Sequence, residues 1–328
     1  MKPLEDFLKP TQKELFARMR VQYKGRTKIC KDKYILVKGD APALLVAHMD
    51  TVHHVQVKDI CQTKNGNILM SPQGIGGDDR CGVYALNVVY EKSAVKPWML
   101  FTCDEEVGCV GASAFCSMYR KGTLPKELDN LKLIVEIDRK GKNDAVYYDC
   151  GNKEFEEYIT SKGFKTTFGS VSDISYVAPE LGVAAVNLSS GYYEAHTLHE
   201  YINRSHLNAT IKAVTEIVAD SAKPDFPKYE YVEDRRFIGW GRWRLHTGLT
   251  SEKETAFLKK VPEEIREEYE ALLDFYSIEE LEEYRMDYGD RSIAMLFESD
   301  FGVSFCLSEE ETEDDGGDVE VSERGNNK

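Results

Sequence analysis

No stretch of eighteen apolar residues occurs in this 328-residue chain, which excludes a membrane-spanning helix as the sequence reads. The start, Met1-Lys2-Pro3-Leu4-Glu5-Asp6, lacks the apolar core and cleavage site of a secretory signal. The eight cysteines show no CxxC spacing, so they read as reduced thiols of a cytoplasmic protein rather than a disulfide framework. Basic residues are scarce relative to acids, 42 against 57, and the net charge of -15 argues against a nucleic-acid binder. Much of that charge is local. Residues 308–328 carry nine acids against two bases, together with glycines and asparagines. They read as a disordered, solubilising acidic tail, an interaction tail being the alternative.

What is present is an alternation of strands and helices. Hydrophobic content of 42% supports a substantial core in one large domain with room for an appendage. The pattern Thr11-Gln12-Lys13-Glu14 predicts a capped helix running to about Arg20, after a short turn at Leu4–Leu8 that Pro10 ends. Strands are expected at 27–30, 34–38, 43–47, 98–102, 131–137, 145–148, 164–168 and 183–188, and a hairpin over 57–70 turning at Lys64-Asn65-Gly66-Asn67. Helices are expected at 80–92, 109–119, 154–162 and 205–222. This alternation predicts an α/β fold with a mixed, mostly parallel sheet between helices, and sites at the carboxyl ends of its strands. Lys223-Pro224-Asp225-Phe226-Pro227 is the best domain boundary, dividing a domain over 1–223 from a smaller α+β appendage over 228–307. The appendage has a strand-like stretch at 228–244 and helix candidates at 251–259, 262–275 and 277–288, but no chemistry-bearing motif.

Five short segments place acids and histidines at the ends of these elements. His48 and Asp50 leave a buried strand two residues apart, so the carboxylate can orient an imidazole that faces a metal. A chance pair is the ordinary explanation for such a spacing taken alone. Asp78 follows the glycine-rich turn Gly74-Ile75-Gly76-Gly77 and has two oxygens with which to bridge cations. Helix capping is the competing role for Asp78 or Asp79. In Asp104-Glu105-Glu106, adjacent carboxylates point in different directions, so one can bind metal while its neighbour handles protons. A solvated acidic loop is the alternative, though apolar neighbours flank it. Asp138 ends the most apolar strand and requires a partner or a metal if buried, a solvated strand-end acid being the alternative. His196-Thr197-Leu198-His199-Glu200 offers two histidines, of which one could be a ligand and the other a wall of the pocket.

In this order the segments resemble the motifs of the co-catalytic zinc exopeptidases, the clan of peptidase T, the glutamate carboxypeptidases, aminoacylase and the tetrahedral aminopeptidases. Gly169-Ser170-Val171-Ser172-Asp173 is similar to that clan's Gly-Gly-Thr-Asp stretch, and the likeness covers roughly residues 40–222. The resemblance implies two divalent cations, Zn²⁺ by ligand chemistry with Mn²⁺ or Co²⁺ also admitted. It implies His48 and Asp138 at one cation, Glu106 and His196 at the other, and Asp78 between them. Glu105 would be the general base and Asp50 would orient His48. It further implies a cis peptide between Asp78 and Asp79. One departure stands out. Many relatives insert a lid or dimerisation domain, but Asp138 to His196 spans 58 positions and Asp50 to Asp78 only 28.

The expected activity is therefore that of a metal-dependent hydrolase of short peptides, an aminopeptidase or dipeptidase. A non-peptide amidohydrolase or deacylase would use the same metals, and a binding protein that lost turnover would keep the fold. The expected partner is a short peptide or amide substrate, with no nucleic acid and no membrane, and a homo-oligomer remains open.

Overall fold

The computed structural model describes residues 2–232, except 149, 151, 168 and 170, and scattered positions between 256 and 285. The chain divides into two compact units, Met1–Glu252 and Lys253–Lys328. Residues 233–244 of the strand-like stretch, much of the three helix candidates beyond it and the acidic tail lie outside the described residues.

The first unit opens with α1 (Glu5–Leu8) and α2 (Gln12–Gln22). Next come β1 (Thr27–Cys30), β2 (Tyr34–Val37), β3 (Ala43–His48), β4 (Cys61–Gln62), β5 (Ile68–Met70) and α3 (Gly77–Lys92). Then follow β6 (Trp98–Thr102), α4 (Val110–Arg120), β7 (Leu133–Arg139), β8 (Asp144–Val146), α5 (Lys153–Ser161) and β9 (Lys165–Thr166). The unit continues through α6 (Asp173–Leu181), β10 (Ala185–Ser189), β11 (Tyr192–Tyr193), β12 (Tyr201–Asn203) and α7 (Arg204–Ser221). The capping pattern at Thr11 forms as expected: the Thr11 hydroxyl accepts from Glu14 N at 3.3 Å and Glu14 accepts from Thr11 N at 2.9 Å. That reciprocal pair satisfies two donors that a helix start otherwise leaves open.

Eight strands form one sheet in the order β1-β2-β6-β3-β7-β10-β8-β9. Its centre, β6-β3-β7-β10, is parallel throughout, while β1, β2 and β8 pair antiparallel at its flanks. The sheet is thus mixed and mostly parallel, as the strand–helix alternation implied. β3 is buried at every residue because helices cover both of its faces. Alternate side chains serve opposite layers. Leu45, Met99, Val135 and Val186 pack with α2, α3 and α7, whereas Leu44, Leu100, Ile134 and Ala185 pack with α4 and α6. Truncating one of the leucines, Met99 or Ile134 to alanine would cost about 2–5 kcal/mol.

Two parts of the fold depart from the elements read from sequence. Residues 173–181 form α6 although Pro179 lies inside it. The proline sits in the last turns, where the helix is about to end at Gly182 in the left-handed region (φ 65°). The second departure is a separate four-stranded sheet, β11-β12-β5-β4, in which the expected 57–70 hairpin joins two strands too short to show periodicity. The packed unit also runs past Pro227: Tyr229 is buried in the core and Glu230 bridges Val183. In the second unit, Phe257, Leu258, Val261, Ile265, Tyr269 and Leu272 belong to a small apolar cluster of their own. No helix among the described residues is long and apolar enough to cross a membrane.

Candidate metal centre

Because β6, β3 and β7 are adjacent and parallel, their carboxyl ends lie along one edge. His48 is the last residue of β3, Asp138 stands one residue from the end of β7, and Glu105 and Glu106 lie in the turn after β6. Asp78 arrives from the start of α3, and His196 from the loop joining β11 to β12. The small sheet brings these last two together, since β12 pairs with β5 just before the glycine-rich turn. All seven residues singled out in the sequence meet at this edge.

The arrangement is organised around Asp78. Its Oδ1 lies 3.3 Å from His48 Nε2, and its Oδ2 lies 3.1 Å from His196 Nε2. His48 Nε2 also faces Asp138 Oδ1 at 3.6 Å and Glu105 Oε2 at 3.9 Å, while His196 Nε2 faces Glu106 Oε2 at 3.2 Å. Three overlapping groups therefore place ligand atoms within 4.8 Å of one another: His48–Asp78–Asp138, His48–Glu105–Glu106 and Asp78–Glu106–His196. Asp50 stands behind His48, with Oδ1 3.3 Å from Nδ1 but not aligned as a hydrogen bond. Its Oδ2 accepts from Glu106 N at 3.1 Å, which ties the end of β3 to the turn after β6.

Local backbone explains how these side chains reach one place. The peptide between Asp78 and Asp79 is cis. Gly77 could carry no side chain, because a Cβ there would sit 2.7 Å from Tyr192 Cβ and 3.1 Å from Glu200 Oε1. His196 adopts φ 65°, a left-handed conformation uncommon for any residue with a Cβ. Strain of that kind, of order 1–3 kcal/mol, persists where the surroundings over-determine it. Here they comprise two carboxylates facing the ring.

Crowding of buried acids sets the electrostatics. Burial, reinforced by the Asp78 charge, pushes Asp138 up to about 7. Burial, with Asp138, Asp173 and Glu106 adding repulsion, pushes Glu105 up to about 9. Burial would also raise Asp78, but its contacts with His196 and His48 outweigh that and hold it well below the usual range. Asp78 and Glu106 raise His196 to about 11. Burial opposes a charge on His48, yet Asp138, Asp50 and Asp78 together raise it well above its ordinary value. Such a cluster holds excess protons that a cation would replace. Glu106 Oε1 is buried and has no hydrogen-bond partner among the described residues, as suits an oxygen left for a cation. The buried Arg80 guanidinium hydrogen-bonds elsewhere, donating to the carbonyls of Phe7 at 3.0 Å and Pro10 at 2.7 Å. Imidazole and carboxylate donors in this number fit divalent first-row metals.

Asp79 takes the capping role that the sequence admitted for it, and several other participants had no role in the sequence reading. Asp79 is buried and caps α3 by accepting from Gly82 N at 2.8 Å. Asp173 accepts from the Thr102 hydroxyl. The Ser172 hydroxyl donates to Asp138 Oδ2 at 3.3 Å, and Asn187 Oδ1 accepts from Asp138 N at 2.8 Å. Glu200, four residues after His196, accepts from the turn that carries Asp78. The Gly169–Asp173 likeness signalled Ser172 and Asp173, but nothing local marked Asn187. A cavity of about 260 Å³ adjoins the centre, lined by Gln12, Asp50, Thr51, His53, His54 and Arg80 among others. A larger one of about 620 Å³ lies between α2 and α3 and touches none of these groups.

No protein-family profile matches the chain, and no curated protein matches it. Solved structures do. A tripeptidase from Staphylococcus aureus is 14% identical, with a TM-score of 0.52 over 67% of this chain and 96% of that one. A TET aminopeptidase from a marine-sediment thaumarchaeon is 12% identical, with a TM-score of 0.50 over 66% and 95%. At these identities the likeness shows the fold, and it is the fold that the order of motifs implied.

Proposed function

We propose that the chain is a two-metal hydrolase that cleaves peptide bonds in short peptides, as an aminopeptidase or dipeptidase. The observation that carries this reading is the division of Asp78, whose two oxygens each face a different histidine with its own further carboxylate. His48, Asp138 and Asp78 Oδ1 would hold one cation, and His196, Glu106 and Asp78 Oδ2 the other. Bound there, divalent cations, Zn²⁺ first by donor chemistry with Mn²⁺ or Co²⁺ also suitable, supply Lewis acidity to a water and a carbonyl.

Glu105 then has the proton work. Its carboxylate lies in the same cluster, farther from His48 Nε2 at 3.9 Å than those of Asp78 and Asp138, a position from which it would take a proton from the attacking water onto Oε. The same oxygen returns that proton to the leaving nitrogen as the C–N bond breaks. Asp50 keeps the His48 ring directed at Asp78, and its bond from Glu106 N keeps the two ends in register. The likeness in fold to a tripeptidase and an aminopeptidase supports a peptide as the substrate.

The test is a metal analysis of the purified protein, joined to a screen of aminoacyl-anilides, dipeptides and N-acyl amino acids. Two cations per chain with release of N-terminal residues is the expected result. Turnover confined to N-acyl amino acids would replace the peptidase with a deacylase, and turnover that survives complete metal removal would overturn the reading.

A further inference from the structure

We infer that Glu200 is a positioning residue for the metal bridge, holding Asp78 so that its two oxygens can serve two cations at once. This rests on the two-metal reading above. Glu200 is fully buried, and an isolated carboxylate in that setting would cost several kcal/mol. It is instead fully engaged. Oε1 accepts from Asp78 N at 2.9 Å, Oε2 accepts from Gly76 N at 2.9 Å, and Oε2 also meets His53 Nε2 at 2.8 Å. Two of its three partners are thus backbone groups on either side of Gly77, and one of them belongs to Asp78 itself.

A residue needed only for stability could take its partners anywhere. This one spans the short turn that aims the Asp78 carboxylate, and it does so from the far end of the segment that carries His196. The Glu200 carboxylate therefore fixes the distance between the bridging acid and one of the two histidines it faces. Gly77 lets the carboxylate come this close, since a Cβ there would lie 3.1 Å from Oε1. His53 holds the second oxygen from the opposite side, and its own ring is packed so tightly on Gly74 that a Cβ there would meet it at 2.2 Å. The carboxylate cannot swing without breaking bonds to the turn. Glutamine in its place keeps the shape but offers one acceptor oxygen, and its amide would point two hydrogens at a backbone N–H.

The experiment uses the full-length protein, stripped of metal and titrated with Mn²⁺ alone. Calorimetry reads affinity and stoichiometry, and electron paramagnetic resonance reads exchange coupling between two bridged ions. Wild type should bind two Mn²⁺ ions with a coupled signal. Glu200→Gln should bind about 10- to 100-fold more weakly and lose the coupling, the usual scale for a group that orients a ligand. His53→Asn, which removes one of the three partners, should move both readouts the same way by less, and it decides the matter if Glu200→Gln fails to fold. A role confined to stability would lower the melting temperature of these variants and leave affinity and coupling unchanged, which overturns the inference alone. A wild-type protein that takes up no second ion overturns the two-metal reading and this inference with it.

Discussion

On the roles proposed above, replacing Glu105 by glutamine should separate proton transfer from metal binding, with its neighbour as an internal control. Glu105 Oε2 lies 3.9 Å from His48 Nε2, farther than Asp78 at 3.3 Å or Asp138 at 3.6 Å. Glutamine fills the same volume and retains an oxygen there, so the ions should lose little. What disappears is a carboxylate oxygen able to accept a proton. Loss of a general base slows turnover by about 10²–10⁴-fold, equivalent to about 3–5 kcal/mol of barrier. Glu106 differs in kind: its Oε2 lies 3.2 Å from His196 Nε2, and its other oxygen has no hydrogen-bond partner among the described residues. Glu106→Gln should therefore lower metal content as well as rate. The assay pairs elemental analysis with turnover of an aminoacyl-anilide at saturating metal. The reasoning has a specific point of failure, since one cluster of ligand-capable atoms includes His48, Glu105 and Glu106 together. If Glu105→Gln loses its ions in proportion to its activity, Glu105 is a ligand. Normal turnover in that variant would exclude the proton role altogether.

Metal removal should make stability depend on pH: Asp138 and Glu105 are raised to about 7 and about 9 and His196 to about 11, so each contributes stability below its unfolded value that is lost on ascending through the folded one. The melting temperature of the chelated protein should thus fall from pH 5 to pH 9, Asp78 staying ionised throughout, and a rise over that range in a fluorescence melt would contradict it. Gly77→Ala forces a Cβ to within 2.7 Å of Tyr192 and should cost about 1–3 kcal/mol in urea unfolding together with weaker metal binding; an unperturbed variant would mean the turn has slack. Deleting residues 308–328 should leave kcat on a small substrate unchanged, because every residue of the candidate centre lies in the first unit; a large loss would implicate the tail.

Long, well-patterned elements were legible in the sequence. Trp98–Thr102 forms as expected, and Ala43–His48 extends the expected strand by one residue. Central strands announce themselves because both faces must be apolar. The small sheet did not, since a two-residue strand such as Tyr192–Tyr193 carries no period and exists only through its pairing with Tyr201–Asn203. That missing sheet is why the sequence could name His196 without saying what delivers it: the loop between those two strands does. The helix over 173–181 was likewise not among the expected elements; it forms with Pro179 inside it because burial of Ile174, Val177, Ala178 and Leu181 against α4 outweighs one lost backbone bond.

The harder problem is telling adjacent acids apart, and the structure shows what decides it. Asp78 and Asp79 are neighbours, both buried, yet Asp79 turns toward the backbone N–H of Gly82 and Asp78 toward two imidazoles. Asp173, Glu200 and Asp79 each accept from a donor supplied by the fold. Asp138 takes both kinds of partner, accepting from the Ser172 hydroxyl through Oδ2 while its Oδ1, like Glu106 Oε2, faces a histidine of the cluster. A buried carboxylate needs donors or cations, and these acids differ in how much of each their surroundings provide. For two of them the donor is distant in sequence, Thr102 for Asp173 and Gly76 for Glu200. A linear reading can therefore count the acids of this centre, but only the packed fold gives each one its donors and its histidines.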